Sequence, residues 1–131
     1  MSENSDALKR GYDAFAQGDL DTVRGLWADD IRWEGPNAPG LVGSGVFNGA
    51  DEVMNMIGEL QGEWSEFRVT PDEFIEGGET VVVLGHTEGT PKDGGSQVKV
   101  PFVHVWRMAG GKVNEVQTLT DTKVVADALG K

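Results

Sequence analysis

Thr80-Val81-Val82-Val83-Leu84-Gly85-His86-Thr87 leaves a Gly77-Gly78 turn as a nearly continuous β-branched run, and it decides the fold class of this 131-residue chain. Valine and threonine lose side-chain freedom in a helix and pack well on a pleated surface, so the run reads as a strand. On the other side of the turn, Phe67-Arg68-Val69-Thr70 and Phe74-Ile75-Glu76 predict the partner arm of a hairpin. Residues 90–96 are polar and form a second turn, leading into a strand over 98–108. Gly110-Gly111 is a third turn, leading into a strand over 113–120. The second half is thus a meander of antiparallel strands.

The first half has a different period. Leu8, Tyr12 and Phe15 fall at helical spacing behind Ser5 or Asp6 as cap, predicting a helix to Gln17 that Gly18 ends. Asp19 caps a second helix with Leu20, Val23, Leu26 and Trp27 on one stripe, closed by Asp29 and Asp30. Ile31-Arg32-Trp33-Glu34 is a short strand. Residues 35–49 hold two prolines and five glycines and predict a long loop. A third helix starts near Asp51 and stops at Gly62, and a last one spans 122–129 with Asp121 or Thr120 as cap. Helices first and strands afterwards predict an α+β fold, a single domain over 1–131 in which a curved antiparallel sheet makes a cone around the N-terminal helices.

Composition limits the chemistry. Twenty-two acidic against eleven basic residues give a net charge of −11, which repels nucleic acid and anionic membrane alike. No cysteine is present, so disulfides, thiolate metal sites and cysteine nucleophiles are excluded. No run of eighteen apolar residues occurs, and the residues after Met1 show no basic or apolar leader, so a cytoplasmic protein is expected. Gly40, Gly43 and Gly45 lack the Lys-Ser/Thr of a phosphate loop, and two histidines without defined spacing make no metal site. Neither cofactor nor metal is expected; carboxylates, histidines and hydroxyls remain.

Residues 12–21 (Tyr12-Asp13-Ala14-Phe15-Ala16-Gln17-Gly18-Asp19-Leu20-Asp21) and 26–33 resemble the opening of SnoaL-like proteins of the nuclear-transport-factor-2-like superfamily. The resemblance continues through Phe47-Asn48-Gly49-Ala50-Asp51-Glu52-Val53, Val100-Pro101-Phe102-Val103-His104-Val105-Trp106, Gly111-Lys112-Val113 and Thr120-Asp121-Thr122. It implies the cone-shaped fold, a homodimer through the outer sheet face and a small apolar molecule as partner. It does not imply one reaction, because isomerases, polyketide cyclases, epoxide hydrolases and noncatalytic binding or association domains share the fold. The three catalytic positions of a ketosteroid isomerase fall on Gly35, Gly11 and Val103, and the last-strand aspartate of an epoxide hydrolase falls near Thr118. Both activities lack their groups here.

By resemblance to the polyketide cyclases, Asp121 is the expected proton donor in ring-closing or isomerising acid/base chemistry on an apolar or polycyclic carbonyl compound, with His104 as its companion. A plain helix cap is the commoner role for such an aspartate. The isomerase pattern would turn Val103 inward and put His104 and Trp106 on the outer face, an assignment that a bulge would invert. Tyr12, Phe15, Trp27, Trp33, Phe47, Phe74, Val103 and Thr118 are the expected pocket wall, with the 35–49 loop as its rim. The alternative reading is a noncatalytic hydrophobic-ligand-binding or dimerisation module, favoured by the missing isomerase groups.

Overall fold

The computed structural model describes residues 2–131. Helix α1 (Glu3–Ala16) begins where Ser2 Oγ accepts the Ser5 N–H, and it ends ahead of Gly18, whose φ of 75° favours glycine. Both the Ser2 and Ser5 hydroxyls donate to Glu76, tying the start of α1 to the sheet and holding that carboxyl below its ordinary range.

Asp19 caps α2 (Leu20–Gly25) by accepting from the Thr22 N–H and hydroxyl. This helix is shorter than its apolar stripe predicts, because Trp27 opens strand β1 (Trp27–Glu34) instead of extending it. The Leu26 carbonyl accepts the Val113 N–H at 2.8 Å, and Trp27 lies opposite Val113. Extending a two-turn helix gains little, whereas pairing with a strand already in the sheet gains a ladder.

The expected loop contains a short strand, β2 (Val46–Asn48), antiparallel to β1. Helix α3 (Ala50–Gly62) follows, then β3 (Trp64–Gly77), a single bent strand where two short ones were expected. The interruption is a register shift between Pro71 and Glu73, where proline cannot donate to the ladder. Strands β4 (Thr80–Pro91), β5 (Val98–Ala109) and β6 (Lys112–Thr120) and helix α4 (Thr122–Ala128) complete the chain. The six strands form one curved sheet in the order β2-β1-β6-β5-β4-β3. All neighbours are antiparallel except β1 and β6, which are parallel. The chain between those two strands includes most of the fold, and such a long connection permits a parallel pair where a hairpin would not.

Two glycines in β4 let bulky rings lie against the strand. A Cβ at Gly85 would collide with the Thr70 carbonyl and the Phe102 ring, and one at Gly89 would sit 2.7 Å from Trp64 Cε3. Between the helices and the concave face, Ile31, Val53, Val81, Val83 and Val116 are completely buried, each contributing about 1.5–3 kcal/mol.

The side-chain alternation of β5 corrects the expected facing. Val100, Phe102, Trp106 and Met108 are buried, while Lys99, Pro101 and Arg107 are exposed. His104 therefore faces inward, and Val103 lies on the outer face opposite Leu84. Turning Val103 inward would have buried Lys99 and Arg107 with it, and unpaired buried charge is far costlier than an inward histidine with a partner.

Candidate functional site

The three N-terminal helices cover the concave face without filling it, leaving a cavity of about 230 Å³. All four tryptophans line it: Trp27 and Trp33 from β1, Trp64 from β3 and Trp106 from β5. Their rings meet edge to face, with Trp33 centred 6.1 Å from Trp27 and 6.0 Å from Trp106. Among the described residues no aspartate, glutamate, lysine or arginine lines this space.

One polar chain crosses the apolar wall. Trp106 Nε1–H donates to the Tyr12 hydroxyl at 3.0 Å, and that hydroxyl lies 2.7 Å from His104 Nδ1. Indole can only donate, so the phenol accepts from it and gives its own proton to His104. Nδ1 of His104 is then the acceptor, and the imidazole carries its proton on Nε2. Among the described residues the Tyr12 hydroxyl on Nδ1 is the hydrogen-bond partner of His104, and the ring lines the cavity, as does Trp64, whose Nε1–H is buried without a partner.

Burial explains why this chain stays neutral. It pushes the His104 pKa from 6.5 down to about 3, and it pushes the Tyr12 phenol well above its ordinary value against a smaller opposing effect of the Trp106 hydrogen bond. Packing fixes the imidazole as well: Phe102 stacks on it at 3.9 Å between ring centroids, and Trp106 meets it edge to face at 5.8 Å. The result is a rigid, uncharged hydrogen-bond donor in a low-dielectric pocket.

Of the residues expected at the site, Tyr12, Phe15, Trp27, Trp33, His104 and Thr118 line the cavity. Phe74 does not; it packs edge-on against Tyr12 at 6.1 Å. Phe47 lies opposite Trp33 on the neighbouring strand and packs against the core rather than lining the cavity. Val103 is outside, as the strand facing requires. Asp121 is exposed and caps α4, its carboxylate accepting the Val124 N–H at 3.3 Å, so the structure puts it outside the cavity and away from His104's hydrogen-bond chain.

The isomerase position at Gly35 is closed on steric grounds too, since a Cβ there would overlap the Gly43 carbonyl, whereas one at Gly11 would need only the tip of Leu26 to shift. His86 lies on the outer face with Nδ1 2.8 Å from Asp72. The inward placement of Trp106 reverses the expected facing, and the Tyr12–His104–Trp106 chain and Trp64 on the cavity wall have no counterpart among the expected site residues. The charged residues that share Val103's parity were the signal that could have found it.

Comparison with known proteins agrees with this architecture. Among curated proteins none matches in sequence. An NTF2-like protein of unknown function from Burkholderia pseudomallei is 35% identical over 100% of both chains, with a TM-score of 0.93. TerC, co-crystallised with polyporic acid, is 27% identical over 99% of this chain and 100% of its own, with a TM-score of 0.91. A putative SnoaL-like polyketide cyclase from Jannaschia shares the fold at 21% identity and a TM-score of 0.83, covering 97% of this chain and 91% of its own. The SnoaL-like domain model matches residues 8–116, and the chain belongs to that family.

Proposed function

We propose that this protein binds a small, flat, apolar carbonyl compound in the cavity, with the carbonyl oxygen accepting the Nε2–H of His104. The observation that carries this reading is an apolar space whose wall contains a neutral, pre-oriented donor and no charged side chain. Apolar walls with few placed polar groups suit ligands of this class. TerC, a structural neighbour co-crystallised with polyporic acid, supports a small organic molecule as the class of ligand.

Binding is favoured over turnover. A hydrogen bond from His104 would polarise a carbonyl and ease enolisation, but enolisation also needs a base. An imidazole whose pKa is about 3 is a poor one. Asp121 is engaged elsewhere as a helix cap. The ring-closing or isomerising reading therefore lacks a proton acceptor on the cavity wall, and the noncatalytic reading needs none. Calorimetric titration with fluorenone and its parent hydrocarbon fluorene tests the proposal, since the two differ at the carbonyl alone.

The outer sheet face suggests a second copy of the chain as partner. Ile75 and Leu119 are 45% and 46% exposed beside the Val82–Val105 and Leu84–Val103 cross-strand pairs. Arg32, Glu34 and Glu115 put both signs of charge on the same face. A face carrying apolar rows and both charges can be complementary to itself about a twofold axis.

A further inference from the structure

Helix α4 ends in a way that aims one side chain across the cavity rim. Gly130 takes a φ of 72°, its N–H donates to Asp127 O at 3.2 Å, and the Lys131 N–H donates to Ala126 O at 2.8 Å. These are the two bonds of a Schellman motif, which reverses the chain after a helix. The reversal carries the Lys131 ammonium to Gly40 O at 3.2 Å and to Glu63 Oε2 at 2.7 Å. One cation thus joins three separate pieces of the rim: α4, the 36–45 loop and the end of α3.

All three pieces border the cavity, through Val125, Leu41 and Leu60 respectively. A shallow crevice runs between the loop and α4, and Leu41 belongs to both crevice and cavity. Among the described residues no other hydrogen bond joins the loop to α4. No α4 residue is buried, and Gly40, Gly43 and Gly45 all have positive φ, so the loop depends on glycine for its shape. The closed arrangement also has a cost, because Glu63 Oε1 is buried without a hydrogen-bond partner.

We propose that ligand reaches the cavity through the seam between the 36–45 loop and α4, and that Lys131 is the latch that closes it. This rests on the cavity being a ligand site. Releasing Nζ frees the loop carbonyl and the Glu63 carboxylate together, so the seam opens by breaking contacts that water and salt replace easily.

Stopped-flow quenching of tryptophan fluorescence by fluorenone reads the rates directly, since all four tryptophans line the cavity. Lys131→Met is expected to raise association and dissociation rates in parallel by about two- to fivefold, the range for a partly exposed ion pair, with the equilibrium constant nearly unchanged. Added salt should speed the parent protein and leave the variant unaffected. Ala126→Trp, which narrows the seam from the α4 side, should slow both rates. Unchanged rates in both variants, with equilibrium binding intact, would overturn the latch and leave the cavity reading standing. Absence of saturable quenching in the parent protein would overturn the cavity reading and the latch with it.

Discussion

At position 104 a histidine stands where its inward neighbours on β5, Phe102 and Trp106, are purely wall-forming or donate sideways, and its neutrality makes a testable demand on stability. In the unfolded chain the imidazole takes up a proton below about 6.5, while in the folded protein it resists protonation down to about 3. The unfolded state binds the extra proton across that window, so stability falls as pH drops from 6.5 toward 3, by on the order of a few kcal/mol for this group. Asp19 and Glu76, whose carboxyls are held low by hydrogen bonds, add loss in the same direction as they protonate. Denaturant titrations of parent and His104→Gln between those limits isolate the histidine: the variant's curve should be flatter, and parallel curves would contradict a buried neutral imidazole. Asp121 makes the complementary prediction. Asp121→Ala should cost about 1 kcal/mol as a lost cap, Asp121→Asn close to nothing, and neither should change affinity for fluorenone. A large affinity loss in Asp121→Asn, read by the same titration, would put the carboxylate back in the site.

Among the elements, β4 shows how close the backbone and rings come. Replacing Gly85 by alanine pushes a methyl into the Thr70 carbonyl and the Phe102 ring that stacks on His104. Thermal melts should show a loss of about 1–3 kcal/mol, with fluorenone affinity falling as the imidazole shifts. Alanine at Gly77, where nothing lies within 4 Å, is the control and should be nearly silent on both measures. The β4–β5–β6 meander was legible because β-branched runs between glycine turns signal strands locally. The early start of β1 was not, because Trp27 is held by Val113, far along the chain, against a helical stripe that pointed the other way. The Tyr12–His104–Trp106 chain joins residues 92 and 94 positions apart, a separation that leaves no spacing motif. The facing of His104 was legible from Lys99 and Arg107, whose exposure fixes the parity of the strand; borrowing the isomerase register overrode that local signal.

For the molecule as a whole, the net charge of −11 opposes self-association while the outer face favours it. Sedimentation equilibrium is expected to find a dimer at moderate salt, and Ile75→Lys to shift it toward monomer while fluorenone still binds. A parent protein that stays monomeric would remove the outer-face partner. The wider organisation places nearly all charge outside and gathers every tryptophan around one uncharged cavity, so on the proposed reading recognition falls to shape and to uncharged donors, the His104 Nε2–H first among them. The most direct measurement of that claim is calorimetric titration of the parent protein and His104→Phe with fluorenone and with fluorene. The variant is expected to lose about five- to tenfold in affinity for the ketone, the worth of one hydrogen bond, and little or nothing for the hydrocarbon. Equal effects on both compounds, or no binding of the ketone by the parent protein, would contradict it.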